Sequence, residues 1–233
     1  MTAFQIKLVA IITMVIDHIG IFLFPQLIIL RIIGRLSFSL FAWLIANGAH
    51  HSKNKMHYLM RLLIVGVISQ IPYSALYQIV QPGEFHLNIF FTLFLGLGAI
   101  ILCKKYTALI TKLLIVAAFS LIALILQCEY GAAGVLSIFF FYIYFKDFKM
   151  ILFTQSLIIF AFYTIPLSIF IFSNTSKVIY INSIQLIQPL ALLFFVFIVR
   201  YNLKEGTRIK RLLYFFYPLH LLIIYFVKNL VLK

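Results

Sequence analysis

Acidic side chains are almost absent from this sequence: its 233 residues include only five Asp and Glu, against 19 Lys and Arg. Charged residues of both signs make up 10% of the chain, whereas a soluble domain carries about 25%. Hydrophobic residues make up 64%, and the mean hydropathy is +1.13. This chain has too few charged side chains to form the hydrated surface that a soluble protein needs. The composition therefore excludes an ordinary soluble protein and predicts an integral membrane protein.

Cysteines and metal-ligating clusters are scarce as well. The two cysteines, Cys103 and Cys128, are predicted near opposite membrane faces, so no disulfide framework is expected. Three histidines, His50, His51 and His57, share one Lys-rich loop. No Cys or carboxylate accompanies them there, so we predict no metal site.

Long apolar runs are what the chain has instead. A transmembrane helix needs about 20 predominantly apolar residues. The predicted spans are 7–24, 27–48, 58–79, 88–103, 107–127, 131–145, 149–172, 180–199 and 211–230. We therefore predict an all-α fold, a polytopic transmembrane bundle of about nine helices formed by a single domain over residues 1–233. The first span is interrupted by Asp17 and His18 and lacks a small-residue cleavage site, which favours a retained helix over a signal peptide.

The basic residues indicate topology. A formal net charge of +14 would by itself suit a nucleic acid partner, but most of these residues flank apolar spans on alternate loops. This distribution is typical of the positive-inside rule. It predicts an inside N-terminus, an outside C-terminus, a multi-pass protein of the cytoplasmic membrane and no nucleic acid binding.

Each of the first two spans contains a pair of polar, ionisable residues. Asp17 and His18 stand in the middle of "MVIDHIGIFL", and Arg31 and Arg35 follow in the next span at i, i+4 spacing, which places both on one helix face. A buried charge is costly unless it is paired, so we expect the arginines to be counter-ions of Asp17. Neighbouring residues point about 100° apart on a helix, so Asp17 and His18 are not expected to pair with each other.

Counting 1.5 Å per residue predicts the depth of these groups. Asp17, Arg35, Gln70 and His220 come to about 13 to 18 Å from the inner surface, near the membrane midplane. His220 follows Tyr217 at i+3 within "FFYPLH", so the two share a helix face. The sequence therefore predicts one polar, water-containing site assembled from several helices.

Six motifs in this chain resemble the TraX family of F-pilin N-acetylase-like membrane acyltransferases. They occur in the order of the family and cover most of the chain except about 140–200. The motifs are "MVIDHIG" (14–20), "RIIGRLSF" (31–38), "YLMRLLIVGVISQIPY" (58–73), "NIFFTLFLGL" (88–97), "EYGAAGVL" (129–136) and "FFYPLHLLIIY" (215–225).

The resemblance implies an acyltransferase, specifically an acetyltransferase, that takes its acyl group from cytoplasmic acetyl-CoA and uses no metal. The acceptor would be an amine or hydroxyl at the extracytoplasmic side, on a pilin-like protein or a surface glycan. By motif, the resemblance points to Asp17, His18, Arg31, Arg35, Arg61, Asn88 and His220. The chain departs from the family at Gln70, where a Glu would be a potential base, and at Glu129, where an Asp is replaced with its charge kept.

Acyl transfer from a thioester needs a base, donors for the developing oxyanion, and exclusion of water. His18 or His220 suits the first role, because imidazole titrates near neutral pH. Arg31, Arg35 or Asn88 suits the second. Arg61 at the inner face is expected to attract the phosphates of CoA. Further expected substrate-binding residues are Gln70, Glu129 and Tyr217.

Simpler interpretations remain open from the residues alone. In one such interpretation, Asp17 and the two arginines only link two helices. In the same interpretation, His18 and His220 are hydrogen-bonded interior residues with no catalytic role. The alternative function is non-enzymatic: a small-solute transporter, or an accessory membrane subunit of an export or conjugation system. A transporter also places charges at mid-depth to bind its substrate.

Overall fold

The computed structural model describes residues 1–166, 186–207 and 210–231, and within these ranges the chain forms helices and no strand. The nine helices of the described ranges are α1 Ala3–Phe22, α2 Ile28–His51, α3 Lys55–Val80, α4 Ile89–Cys103, α5 Leu109–Ile125, α6 Gly131–Ile143, α7 Phe148–Thr164, α8 Gln188–Ile198 and α9 Lys210–Val231. The final turn of α7 is a π-helix, and α8 is mostly 3₁₀.

The helix pattern confirms the all-α prediction. Helices α1, α2 and α3 have 20, 24 and 26 residues and are long and apolar enough to cross a membrane, while the remaining apolar helices are shorter. At 1.5 Å per residue these three are about 30 to 39 Å long, against a hydrocarbon layer of about 30 Å. The predicted spans 149–172 and 180–199 run into residues 167–185, which lie outside the described residues.

Helix starts follow from capping residues in the sequence. Thr2 and Gln5 form a reciprocal capping box at α1, and the side chains of Asn54 and Asn88 accept bonds from the first turns of α3 and α4. Asp147 caps α7 in the same way. Such caps satisfy backbone N–H groups that have no partner inside the helix, and each contributes about 1 kcal/mol.

The chain divides into two compact units. Unit 1 comprises Met1–Phe41 and Tyr144–Gly206, and unit 2 comprises Ala42–Ile143 and Thr207–Lys233. In unit 1 the start of α1 is bonded to the segment that follows α8, since the amides of Ala3 and Phe4 donate to the carbonyls of Lys204 and Glu205 over 2.9 and 3.0 Å. The N-terminus and the segment after α8 therefore lie at the same end of unit 1.

In unit 2, α4 packs against α3, α5 and α6, and α9 packs against α3. At one end, the amide of Leu87 donates to Gln127 O and the amide of Glu129 donates to Leu87 O, joining the 84–88 loop to the 126–130 turn. We call this the loop end of unit 2.

The ends of α2, α4 and α6 meet at the opposite, basic end of unit 2. His50 Nε2 lies 3.0 Å from Tyr142 O, and the two rings stack at 4.3 Å. Lys104 Nζ lies over the same tyrosine ring at 5.3 Å. Within unit 2, α4 therefore runs from the loop end to the basic end.

Candidate functional site

Asp17 forms an ion cluster with the two arginines of α2. Its Oδ1 accepts from Arg31 Nη1 at 2.8 Å and from Arg35 Nη2 at 3.0 Å, and its Oδ2 lies 3.3 Å from Arg35 Nη2. The three side chains are only 8 to 13% exposed. This geometry confirms the predicted counter-ions.

The approach of α1 to α2 depends on a glycine. A Cβ atom at Gly34 would lie 2.0 Å from Asp17 Oδ1, far inside contact distance. Gly34 lies between Arg31 and Arg35 in the sequence, so the missing side chain provides the space that the Asp17 carboxylate occupies. Ser37 adds a second link, because its hydroxyl donates to Ala10 O at 3.1 Å.

Sequence reasoning missed Gln188, the fourth member of this cluster. Arg35 Nη1 donates to Gln188 Oε1 at 3.1 Å, and Gln188 is buried at the start of α8. Arg35 Nε also donates to the carbonyl of Arg31 at 3.3 Å. The available signal was an amide followed by Pro189 within the predicted span 180–199.

The ion cluster, which we define as Asp17, Arg31, Arg35 and Gln188, holds one carboxylate and two guanidinium groups, so its formal charge is +1. Water is largely excluded from these side chains, which strengthens electrostatic interactions. Excess positive charge in such a place stabilises an anion or the negative charge that develops on a reacting oxygen.

His18 is buried on α1, next to the ion cluster in the sequence. Its ring lies 6.0 Å from the ring of Phe22, one turn further along. The Asp17 carboxylate takes its partners from α2, as expected for adjacent helical residues that point in different directions. The pair is therefore not an Asp–His couple of the catalytic-triad kind.

His220 lies in unit 2 on α9 within an aromatic setting. Its ring stacks on Phe216 at 5.3 Å and meets Tyr217 edge-on at 5.3 Å, while Tyr217 contacts Phe90 of α4 at 4.9 Å. His220 Nδ1 lies 3.1 Å from Phe216 O. A carbonyl only accepts, so this bond places the proton on Nδ1 and leaves the lone pair of the neutral ring on Nε2.

Gln70 and Asn88 form a saturated amide pair at the loop end of unit 2. Gln70 Nε2 donates to Ser74 Oγ and to His86 O, both at 2.9 Å. Gln70 Oε1 accepts from the backbone and side-chain nitrogens of Asn88, and Asn88 Nδ2 also donates to Gly66 O at 2.8 Å. These bonds give both residues a structural role, and the substrate-binding roles expected of them stay predictions.

Glu129 lies in the turn beside this pair. Thr92 Oγ1 donates to its backbone carbonyl, and its carboxylate is close enough to interact electrostatically with the phenols of Tyr73 and Tyr217. Arg61 lies nine residues before Gln70 on α3, about 14 Å away along the helix axis. Within the described part of the chain, no three His, Cys, Asp or Glu side chains gather as metal ligands.

These features define a class of protein: a helical protein whose longest helices can span a membrane and whose first two helices are joined by a buried ion cluster. The chain belongs to the TraX family, whose model, described as TraX protein, matches residues 3–228. That match includes the region 140–200, where the motifs gave only apolar character.

Two relatives share parts of the chain. A probable fimbrial assembly protein FimC, serogroup H1, of Dichelobacter nodosus is 33% identical over 141 residues, which are 56% of this chain and 57% of that protein. An uncharacterized protein, RP591, of Rickettsia prowazekii (strain Madrid E) is 41% identical over 73 residues, 31% of this chain and 27% of that protein. The chain thus matches less than two thirds of either relative. No solved structure matches it.

Proposed function

We propose that this TraX family member is a multi-pass acyltransferase of the cytoplasmic membrane that transfers an acetyl group from acetyl-CoA to an extracytoplasmic amine or hydroxyl. One observation carries the proposal: the buried ion cluster of Asp17, Arg31, Arg35 and Gln188, with an imidazole at the adjacent residue. Buried charge inside an apolar helix is costly and is usually retained for function.

The reaction needs few groups from the protein. The acceptor nitrogen or oxygen attacks the thioester carbonyl, and its bond to carbon forms as the carbon–sulfur bond breaks. The base takes the acceptor's proton, and the CoA thiolate leaves and is protonated. After the attack and before the thiolate leaves, negative charge develops on the carbonyl oxygen. A guanidinium N–H directed at that oxygen stabilises the charge.

The ion cluster supplies this donor in the proposal. Asp17 holds both guanidinium groups in one orientation, and Gln188 fixes the second from its other side. Preorganised donors need no rearrangement when charge develops, which is the main source of electrostatic catalysis. Asp17 and Gln188 act as positioning residues, and the arginines act on the reacting oxygen.

His18 and His220 are the two candidate bases. His18 is adjacent to the ion cluster in unit 1, whereas His220 lies in unit 2 with its Nδ1 bonded to Phe216 O. A neutral imidazole has one ring nitrogen that can accept a proton. The proposed reaction needs one base, so replacing each histidine singly tells which of the two acts.

The relative from Dichelobacter nodosus bears the name of a probable fimbrial assembly protein. That name favours a protein acceptor, a pilin-like subunit with a free N-terminal amine, over a glycan hydroxyl in the proposal. A glycan acceptor is kept as an outcome of the test.

The test uses the full chain purified into phosphatidylcholine nanodiscs with acetyl-CoA and two acceptors, a peptide with a free N-terminus and an oligosaccharide. We expect thiol release that depends on acceptor, and a loss of about 100-fold or more in His18→Ala or His220→Ala, whichever is the base. His57→Ala, on the first turn of α3, is the matched control. Mass spectrometry identifies the acetylated product.

Folding is read from Trp43, which is the single tryptophan and is buried on α2. Folded protein that releases no thiol with either acceptor would overturn the enzyme proposal. Solute uptake into proteoliposomes that disappears in Asp17→Asn would then support the transporter alternative.

A further inference from the structure

Unit 2 has a positive site at its basic end that the ion cluster does not explain. Arg61 lies on the second turn of α3, exposed, with its guanidinium carbon 5.7 Å from the ring centroid of Tyr58 and 6.0 Å from that of Tyr214. Cation–π contacts of this kind orient a guanidinium without using its N–H donors. The five donors of Arg61 bond to no described residue, which leaves them available to a ligand.

The rings that hold Arg61 are themselves fixed. A Cβ at Gly48 would lie 2.7 Å from Tyr58 Cε1, so the α2 backbone lies directly against this ring. Tyr214 comes from α9, which packs on α3. Arg61 is therefore set between two rings contributed by two helices, unlike a flexible surface lysine.

No carboxylate of unit 2 neutralises this site. The two acidic residues of unit 2 in the sequence are Glu84 and Glu129, and both belong to the loop end. Arg61 is 19 residues from the far end of α3, or about 28 Å. Lys53 and Lys55 add positive charge at the near end, so this end of unit 2 carries positive charge that no carboxylate of the same unit offsets.

The depth of Arg61 suits a phosphate. Exposed Ile and Val residues of α3 follow Arg61 from Ile64 to Ile71, while Met56 and Met60, also exposed, precede it on the side of Lys53 and Lys55. An exposed apolar face of this kind marks the hydrocarbon layer, and Arg61 lies toward its Lys-rich end, where a long cationic side chain can reach lipid headgroups. Guanidinium groups bind phosphate through paired N–H donors, and more specifically than an ammonium does.

We infer that Arg61, held by Tyr58 and Tyr214, is a phosphate-ester clamp at the basic end of unit 2. Two sources carry this chemistry at that depth, the phosphates of a coenzyme A donor and the headgroup of an anionic phospholipid. The first source rests on the proposed function, and the second is independent of it.

The experiment measures both sources on the full chain in nanodiscs. Adenosine 3′,5′-bisphosphate and CoA are titrated calorimetrically in phosphatidylcholine discs, and retained phosphatidylglycerol is counted by native mass spectrometry from mixed discs. The variants are Arg61→Gln, Arg61→Lys and Tyr58→Leu. Lys105→Gln, which removes an exposed charge just after α4 at the same end, is the matched control.

We expect Arg61→Gln to weaken one of the two ligands about 10- to 100-fold, the effect of losing hydrogen bonds to a charged group. Arg61→Lys keeps the charge but loses the planar donors, so it should recover only part of the binding. Tyr58→Leu should cost about two- to fivefold through the lost ring contact. Weaker nucleotide binding identifies the CoA source, and weaker phosphatidylglycerol retention identifies the lipid source.

The clamp is overturned if Arg61→Gln changes neither ligand more than Lys105→Gln does, or if Arg61→Lys binds as tightly as the unmodified protein. The Trp43 emission spectrum confirms that each variant is folded. If the protein acetylates an acceptor and Arg61→Gln binds both ligands as tightly as the unmodified protein, the clamp is wrong and the acyltransferase proposal stands. If binding depends on Arg61 but no acceptor is acetylated, the clamp stands and the acyltransferase proposal is wrong.

Discussion

Asp17 is the shared ion-pair partner of two arginines, so replacing this one residue should change the stability of the fold. Replacing it by Asn removes the carboxylate that accepts from both buried guanidinium groups. Breaking a buried ion pair from one side costs about 3 to 5 kcal/mol. We expect Asp17→Asn to lower the thermal unfolding midpoint in nanodiscs strongly, as followed by Trp43 fluorescence.

Arg31→Gln is the comparison for this prediction. It leaves the carboxylate paired with Arg35, which bonds both of its oxygens, so a smaller loss is expected. Equal and small shifts in both variants would mean that the ion cluster contributes little to folding.

Gln70 gives a second prediction at the residue scale. Its amide nitrogen donates to Ser74 and to the carbonyl of His86, and a Glu at this position has no N–H groups to replace those bonds. A buried acceptor left without a donor costs about 1 to 3 kcal/mol. We expect Gln70→Glu to destabilise unit 2 and loosen the 84–88 loop, measured as faster amide hydrogen exchange there.

Gln81→Glu provides the control, because Gln81 is exposed just after α3. Unchanged exchange in Gln70→Glu would show that the residue does not hold the loop. In this chain Gln70 donates two bonds that a Glu at the same position could not donate.

At the scale of the element, the contact between α1 and α2 depends on the missing side chain of Gly34. An added Cβ would occupy the position of the Asp17 carboxylate, with 2.0 Å to Oδ1, and neither the helix backbone nor the buried carboxylate can move away cheaply. Overpacking of this kind costs about 1 to 3 kcal/mol or more. We expect Gly34→Ala to lower both the unfolding midpoint and any acyl-transfer activity.

Ile29→Ala tests the same helix at a position that is 55% exposed, where the loss of a few methyl groups should change little. If Gly34→Ala behaves like Ile29→Ala, the close approach of the two helices does not need the glycine.

At the scale of the whole molecule, the topology is open to measurement. The bonds of Ala3 and Phe4 to the segment 204–205 put the N-terminus and that segment at one end of unit 1, and the loop charges predict that this end is cytoplasmic. In a Cys103→Ser, Cys128→Ser background, we expect an impermeant maleimide to label Glu84→Cys on intact cells. Lys204→Cys should react only after the membrane is opened. Labelling of Lys204→Cys on intact cells would contradict the predicted topology.

The sequence by itself determined the class of fold and most helix positions. Predicted spans such as 58–79 and 88–103 agree with α3 and α4 within a few residues. Hydropathy and caps act locally along the chain, which is why they can be read without a structure. The pairing of Asp17 with Arg31 and Arg35 was also predictable, because helical spacing and the cost of an unpaired buried charge restrict the partners.

Only the tertiary structure decided which distant polar residues meet. Gln188 contacts Arg35 across 153 positions of sequence, and Gln70 bonds to the 86–88 segment although its depth alone suggested a place among the reacting groups. The rings beside Arg61 come from α3 and α9. An amide or a phenol in an apolar span satisfies its bonding capacity with whichever group packing brings near, and that choice depends on how helices pack rather than on local sequence.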